Sequence, residues 1–154
     1  MFGVVGISQG VEAGGPAQTH ALGTLARIVD FDQGSDGLLN VVIRGETRFA
    51  VQSSRIQADA LMLGMVAEKP PLESPPIPPE HQELVNLLVE INTNTTFGQL
   101  ADGSPTNTIE LAYGLAQILP VSMSAKIDLL SIEEPLPLLE QVSALIIELR
   151  QSNQ

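Results

Sequence analysis

Six prolines fall within eleven residues near the middle of the chain, and this tract limits the fold more than any other feature of the sequence. It runs Lys69-Pro-Pro-Leu-Glu-Ser-Pro-Pro-Ile-Pro-Pro79. Proline lacks an N–H and has a fixed φ, so such a segment cannot form a helix interior or a central strand. Apolar residues recur with a period of two before the tract and at helical spacing after it. The sequence therefore predicts a strand lobe over residues 1–71, a proline-rich connector over 72–79 and a helical lobe over 80–154.

Two alternating apolar runs form the centre of the strand lobe, Leu22–Val29 and Leu38–Ile43. Between them, Asp30–Gly37 is rich in Asp, Ser and Gly, which accept turn geometry that branched residues avoid. We therefore expect two strands joined by a loop over Asp30–Gly37. In the second run, Leu39, Val41 and Ile43 fall on one side of the strand.

Further strands are expected on both sides of this pair. A second turn at Arg44-Gly45-Glu46 leads into a third alternating run, Thr47–Val51. The segment Phe2–Ile7 reads as a strand, residues 9–18 as a glycine-rich loop, and Leu61–Ala67 as a further strand or two. Glycines are assigned to structural turns at three positions: Gly34, Gly37 and Gly45.

Helical stripes follow the proline tract. Their apolar members are Leu84, Val85, Leu87, Leu88 and Ile91; then Leu111, Ala112, Leu115, Ile118 and Leu119; then Leu138, Leu139, Val142, Leu145, Ile146 and Leu149. Ser104-Pro105 has the pattern of an N-cap and first helical residue, and Ser131-Ile-Glu-Glu134 that of a capping box. A short helix is expected over residues 122–130, which gives about four helices sharing one core.

Several of these segments together resemble a known family. The strand lobe carries Gly23-Thr-Leu-Ala-Arg-Ile28, a polar glycine turn, a Val/Ile run and Arg44-Gly-x-x-Arg-Phe49. The helical lobe carries Leu111-Ala-Tyr-Gly-Leu-Ala-Gln-Ile-Leu-Pro120 and Ser124-Ala-Lys-Ile-Asp-Leu-Leu-Ser-Ile-Glu133. In this order they resemble the N-terminal, substrate-binding domain of Lon proteases, from Phe2 to about Arg150. The resemblance implies an α+β fold: a PUA-like, twisted, mostly antiparallel sheet or pseudobarrel, followed by the helical lobe.

The chain departs from that family pattern at its beginning. The usual domain has several dozen residues, with a strand and a helix, before the position that matches Phe2. We therefore expect the strand lobe to be incomplete at its N-terminus and to leave one sheet edge open. An open edge invites pairing with another chain. Three interpretations are open: a sequence shortened at its start, which is favoured, a naturally truncated protein, or a homo-oligomer that covers the edge.

Charge and composition exclude several classes of protein. The net charge is −11, of which residues 1–71 carry −2 and residues 72–154 carry −9. Nucleic-acid binding depends on basic side chains that neutralise phosphates, so no nucleic acid is expected as a partner. No stretch reaches the roughly 18 apolar residues of a membrane span, and no leader pattern precedes the first strand. We expect a cytoplasmic protein without a membrane partner.

No constellation of reactive side chains is evident. The chain has no cysteine, and His20 and His81 lie in different lobes. Asp30, Asp32 and Asp36 begin like a calcium loop, but the glycine and glutamate that such a loop requires later are missing. We expect no metal, no cofactor and no catalytic residue.

Complete Lon enzymes also carry an ATPase loop and a Ser-Lys proteolytic site. No Gly-Lys-Ser/Thr occurs in this chain, and a helix cap with a surface lysine explains Ser122, Ser124 and Lys126. The sequence therefore predicts a protein that is not an enzyme.

The resemblance implies non-catalytic recognition of unfolded or extended polypeptide, or of a protein partner. The residues predicted to bind it are Phe31, Met62, Met65, Arg27 and Arg48. Met62 and Met65 are three residues apart, so a regular strand would not place them on the same face.

Two alternatives remain open. One is a small-molecule-binding domain or enzyme that uses a cleft between the lobes, with Arg27, Arg48 or His20 as polar groups. The other is a structural interaction module whose sheet is completed by a strand from a partner.

Overall fold

The fold is described from a computed structural model, which defines residues 1–10, 17–34, 36–59, 61–94 and 104–152. The predicted glycine-rich loop over 9–18 falls largely outside these residues. The chain divides into two compact units, Met1–Pro71 and Leu72–Gln154. We call them the β unit and the helical unit.

The described part of the β unit forms an open four-stranded sheet. Its strands follow the order of the chain, and each pairs antiparallel with the next. The strands are β1 (Phe2–Gln9), β2 (Gln18–Gln33), β3 (Leu39–Ile56) and β4 (Met62–Glu68). Together with the helices described below, this sheet confirms the predicted α+β class.

The loop and turns of the central strands differ from the prediction. Strand β2 continues through Asp30 to Gln33, so the connection to β3 is much shorter than the predicted loop Asp30–Gly37. In this connection Gly34 N–H donates to Leu38 O at 2.8 Å and Gly37 N–H donates to Gly34 O at 2.9 Å. Gly37 has a φ of 81°, the left-handed geometry that glycine adopts without strain.

The predicted turn at Gly45 was wrong. Gly45 lies inside β3 and is paired with Ala26, so the third run Thr47–Val51 is a continuation of the same strand. Leu25 pairs with Thr47 and Ala26 with Gly45, which leaves Glu46 as an extra residue. An extra residue of this kind is a β-bulge, which bends a strand without ending it. The polar Arg-Gly-Glu sequence therefore marks a bulge instead of a turn.

One aromatic side chain fills a glycine-lined part of the sheet. Phe49 is buried, and its ring lies where Cβ atoms on Gly3 and Gly23 would stand. A Cβ on Gly23 would lie 2.6 Å from Phe49 Cζ and 2.6 Å from Val4 O. The absence of side chains at these two positions therefore lets the phenylalanine pack directly on the backbone.

The helical unit begins with residues 72–78, which form neither helix nor strand, and a short 3-10 helix, Pro79–His81. The four α-helices of its described part are α1 (Gln82–Asn94), α2 (Thr108–Ile118), α3 (Met123–Ser131) and α4 (Pro135–Ser152). Their buried apolar residues form one core, with α2 packed on α4: Leu88, Leu111, Ala112, Leu115, Leu119, Leu129, Leu138, Leu139, Val142 and Ile146. This core contains members of all three predicted stripes.

The proline-rich segment belongs to this unit structurally. Leu72 and Ile77 pack against the helical core. At the start of α2, Thr108 N–H donates to Pro75 O at 2.9 Å and Thr108 Oγ1 donates to Pro76 O at 3.0 Å. Residues 72–79 are thus fastened to α2 by hydrogen bonds as well as by apolar contacts.

Two of the predicted helix starts need correction. Helix α2 is capped by Asn107, whose side chain accepts a hydrogen bond from Glu110 N–H at 3.0 Å, and not by Ser104. Ser131 does not open α4; it ends α3, and its hydroxyl donates to Asp128 O at 2.6 Å. Ser122 caps α3 by accepting from Ala125 N–H at 3.2 Å.

Within the part of the chain that the structure defines, no helix is both long enough and apolar enough to span a membrane.

Candidate functional site

The outer part of the β2–β3 hairpin extends beyond its neighbours. Strand β1 pairs with β2 only as far as Ala26, and β4 pairs with β3 only from Phe49 onward. Among the described residues, Arg27–Gln33 and Leu39–Arg44 therefore form a two-stranded ribbon that β4 does not cover on the β3 side. Two strands alone are marginally stable in water, so a ribbon of this kind is a candidate for binding another chain.

The two faces of the ribbon differ in polarity. Cross-strand partners share a face, and successive residues alternate between faces. One face carries the pairs Ile28/Ile43, Phe31/Val41 and Gln33/Leu39. The opposite face carries the pairs Arg27/Arg44, Asp30/Val42 and Asp32/Asn40. The ribbon is thus amphipathic, with nearly all its apolar pairs on one side.

The apolar side of the ribbon continues across the sheet. Following the same register, Phe2 and Val4 of β1 lie on this side, because they pair with Ala26 and Thr24. Leu22 lies on this side as well, because it is two positions from Thr24 in β2. Ala50 pairs with Leu22 and Ala67 pairs with Ala50, so Ala67 and also Met65, two positions before it, lie on the same side. We call this surface the apolar face. Its exposed large side chains are Phe2, Val4, Ile28, Phe31, Leu39, Val41, Ile43 and Met65.

The exposure of these side chains is high for apolar residues. Phe31 is 70% exposed, Met65 66% and Leu39 65%. Single exposed apolar residues are common on proteins, whereas several that adjoin on one sheet face are the mark of an interaction site or groove. Those of the ribbon adjoin one another, and Met65 lies farther along the sheet, opposite Ser53. The apolar face can therefore gain substantial hydrophobic free energy from any partner that covers it.

The predicted binding residues divide between the two sides of the sheet. Phe31, Met65 and Arg48 lie on the apolar face, Arg48 through its pairing with Thr24. Met62 and Arg27 lie on the opposite face. The odd spacing of the two methionines predicted this separation, since β4 carries no bulge between them.

The two arginines differ in their surroundings. Arg27 is exposed, and its Nε lies 3.0 Å from Glu46 Oε1. Arg48 is only 8% exposed although it carries a charge. The side chain of Arg48 is therefore covered by its neighbours on the apolar face. Arg27 belongs to the polar surface of the ribbon.

Sequence reasoning did not identify six members of the apolar face as binding residues: Phe2, Val4, Ile28, Leu39, Val41 and Ile43. Their alternation was visible, and Leu39, Val41 and Ile43 were correctly placed on one side of a strand. Alternation by itself does not tell whether a face is covered. That depends on where β1 and β4 stop pairing, which only the register shows.

The described residues contain no group of three or more His, Asp or Glu side chains placed to hold a metal ion. Two cavities of about 290 and 280 Å³ lie in the helical unit and are lined mainly by apolar side chains. Neither cavity includes His20, Arg27 or Arg48.

Comparisons with known proteins identify the family of the chain. Residues 1–148 match the model of the substrate-binding domain of ATP-dependent protease La, or Lon. Curated protein sequences gave no match.

Two of the solved structures that resemble the chain are Lon N-terminal domains. One is a Lon N-terminal domain protein from Xanthomonas campestris, with 33% identity and a TM-score of 0.68 over 93% of this chain and 74% of that one. The other is the N-terminal domain of the Lon protease of the Mycobacterium avium complex. It shares the fold, with 19% identity and a TM-score of 0.52 over 83% of this chain and 70% of that one. The chain therefore belongs to the family of Lon substrate-binding domains.

Proposed function

We propose that this protein is a non-catalytic recognition module that binds unfolded or extended polypeptide on the apolar face of the β unit. The observation that carries the proposal is the concentration of exposed apolar side chains on one side of the sheet, among them Phe31, Leu39 and Met65. Membership in a family of substrate-binding domains supports polypeptide as the ligand.

The chemistry of the face suits a ligand of this kind. A flat sheet surface with alternating apolar side chains can contact alternate residues of an extended segment, and open backbone groups at the sheet edges can add hydrogen bonds. Within the ribbon this side carries no charge, since Arg27, Asp30 and Asp32 all lie on the opposite one, whereas Arg48 and Arg55 lie on this side outside the ribbon. Recognition would therefore depend on apolar contact and would be nearly independent of salt.

The proposal includes further elements that follow from the sequence. The chain has no cysteine and only two lysines, and it lacks the ATPase motif of complete Lon enzymes. We propose a cytoplasmic protein that delivers or holds polypeptide without acting on it chemically. The two-unit division into residues 1–71 and 72–154 and self-association through an open sheet edge are also part of this proposal.

A direct test is fluorescence anisotropy of a labelled, permanently unfolded polypeptide titrated with the protein at low and high salt. Saturable binding with little salt dependence is expected. Phe31→Ser should weaken binding about tenfold, because burying a large apolar side chain contributes roughly 1.5 to 3 kcal/mol.

Val41 and Val42 give a matched control for the face itself. They are adjacent, of the same type, and 46% and 56% exposed, but they lie on opposite sides of the ribbon. Val41→Ser should weaken binding, and Val42→Ser should leave it near the wild-type value. Equal effects of the two substitutions would reject the apolar face as the site, and a folded protein that binds no polypeptide would reject the function.

A further inference from the structure

The outer edge of the ribbon on the β3 side has a defined set of open backbone groups. One bond, from Gly34 N–H to Leu38 O, joins the two strands at the base of the turn and directs the carbonyl of Leu38 toward β2, while Leu38 N–H donates to Asp36 Oδ1 at 3.0 Å. Antiparallel ladders alternate hydrogen-bonded and non-bonded pairs, so Asn40 and Val42 direct their backbone groups toward β2. Leu39, Val41 and Ile43 therefore direct their N–H and C=O groups away from β2, toward the open edge.

This edge has none of the usual protection against pairing. Edge strands in natural proteins are generally guarded by charges, prolines or bulges. The segment Leu39–Ile43 reads Leu-Asn-Val-Val-Ile and has no charge and no proline, and its pairing with β2 leaves no extra residue on the β3 side. The corresponding part of β2 carries Arg27, Asp30 and Asp32. Among the described residues, hydrogen bonding of β3 to β4 and the residue after it ends at the bond from Lys69 N–H to Arg48 O, which is 2.8 Å long. The segment Leu39–Ile43 lies beyond this point.

We propose that two copies of this chain pair through this edge, β3 against β3, about a two-fold axis at Val41. In this register Val41 faces Val41 of the second copy, and Leu39 faces Ile43. All three residues direct their backbone groups outward, so each facing pair exchanges two hydrogen bonds. The segment can pair with a second copy of itself, because the two-fold axis places the apolar side chains of Leu39, Val41 and Ile43 opposite one another.

Charge complementarity favours a second copy as the occupant of the edge. Arg44 is exposed and lies directly opposite Arg27 of its own chain, whereas Glu46 is engaged with Arg27 at 3.0 Å. Arg44 has no ion pair in the part of the chain that the structure describes. The two-fold register brings it next to the turn of the second copy, where Asp36 is exposed. Each dimer would thus place two unlike-charge contacts at the ends of the paired segment.

Pairing would also join the two apolar faces. Leu39, Val41 and Ile43 of both copies lie on the same side of the combined sheet, since facing residues share a face. The result is one apolar surface across the four strands of the two paired ribbons, β2 and β3 of each copy. This inference rests on the self-association included in the proposed function, but not on polypeptide binding, because it concerns the backbone of the edge and is measured with the protein alone.

Sedimentation equilibrium over a wide range of protein concentration tests the pairing. The wild type should be a dimer in reversible exchange with monomer. Val41→Pro removes an N–H that points outward and should give a folded monomer, since proline is tolerated at a strand edge. Gln33→Pro is the matched control, because Gln33 points its N–H outward from the opposite edge of the same ribbon and should leave the dimer intact. A monomeric wild type, or a dimer broken by Gln33→Pro and not by Val41→Pro, would overturn the proposal.

A charge exchange tests the register without proline. Arg44→Asp and Asp36→Arg should each raise the dimer dissociation constant about tenfold, since two surface contacts per dimer become repulsive. The double substitution should restore most of the wild-type affinity. Circular dichroism of each variant verifies that the monomer is folded. Unchanged dissociation constants in both single variants, or no recovery in the double variant, would show that the two-fold register is wrong.

Discussion

Ile28 and Phe31 lie on the same face of the sheet although they are three positions apart in the chain. A regular strand would place residues three apart on opposite faces. In β2, Ile28 pairs with Ile43 and Asp30 pairs with Val42, so Val29 is an extra residue with no partner of its own. This bulge reverses the alternation once, and it brings Phe31 to the apolar face while Asp30 and Asp32 turn to the polar one.

Removing this residue should keep the two apolar side chains together. Without Val29 the pairs of Ile28 with Ile43 and of Phe31 with Val41 can form unchanged, and Ile28 and Phe31 then stand two positions apart, the spacing of one face. We therefore expect deletion of Val29 to leave polypeptide affinity near the wild-type value. One residue inserted between Val42 and Ile43 would instead give Val29 a partner, restore regular alternation and turn Phe31 and Val41 to the side of Arg27, so affinity should fall about tenfold. Anisotropy titrations of both variants, with circular dichroism to verify the sheet, would refute this role of the bulge if the insertion variant bound normally.

The sequence predicted the classes of element better than their details. Period-two and helical spacing identified the strands and the stripe around Leu138 and Val142, because burial on one face imposes those periods. Bulges at Val29 and Glu46 could not be predicted, since a bulge is defined by the pairing of two strands and not by either sequence alone. The candidate site could be predicted only in part for the same reason. Phe31 was predicted because an aromatic residue is unusual in a polar segment, whereas the exposure of Val41 depends on where β4 stops pairing with β3.

Helix starts failed for a different reason. Ser104-Pro105 is an acceptable start, but Asn107 competes with it a few residues later. The later start wins because Glu110 can reach back to Thr106 while Asn107 accepts from Glu110 N–H, so two side chains satisfy the first turn together. A sequence pattern shows each candidate cap separately. Which candidate begins the helix depends on reciprocal hydrogen bonds such as those of Glu110 with Thr106 and Asn107.

The packing of Phe49 on glycine predicts a sharp difference between two Gly→Ala substitutions. Ala at position 23 would place Cβ 2.5 Å from Val5 Cγ1 and 2.6 Å from Val4 O, which forces the backbone to move. Gly23→Ala should lower the free energy of unfolding of the β unit by roughly 1 to 3 kcal/mol. At Gly64 the nearest atom to a Cβ is 3.6 Å away, so Gly64→Ala should be neutral. Amide hydrogen exchange of the strands measures both, and equal protection in the two variants would contradict the proposed packing.

The bond between Thr108 and the proline-rich segment predicts a loss of stability in the helical unit. Thr108 is fully buried, and Thr108→Val would leave Pro76 O without its hydroxyl donor. Pro76 itself is exposed, so water can replace the lost donor and the expected loss is about 1 kcal/mol, the net contribution of one hydrogen bond. Urea unfolding followed by the fluorescence of Tyr113, the only tyrosine, reports on this unit. Thr93→Val alters an exposed hydroxyl and should have little effect; similar losses in both variants would count against a special role for Thr108.

Glu110 predicts a pH dependence of the same unit. Its carboxylate accepts hydrogen bonds from Thr106 N–H and Thr106 Oγ1, both at 2.8 Å, and these bonds lower its pKa below the ordinary value of 4.5. A pKa that is lower in the folded state contributes stability above the unfolded value, and this contribution is lost as the pH falls through the folded value. The carboxyl is exposed, so water screens the interaction and the contribution at neutral pH should be only about 0.5 kcal/mol.

Glu110→Gln should therefore be less stable than the wild type at pH 7, and the difference should disappear as the pH falls below about 4.5, where the wild-type carboxylate takes up a proton. Urea midpoints from Tyr113 fluorescence at neutral pH and at the acid limit of the folded range measure this change. Glu140→Gln, at an exposed position of α4, is the control and should show no such convergence. A difference between Glu110→Gln and the wild type that stayed constant with pH would mean that the hydrogen bonds to Thr106 do not depend on the charge of the carboxylate.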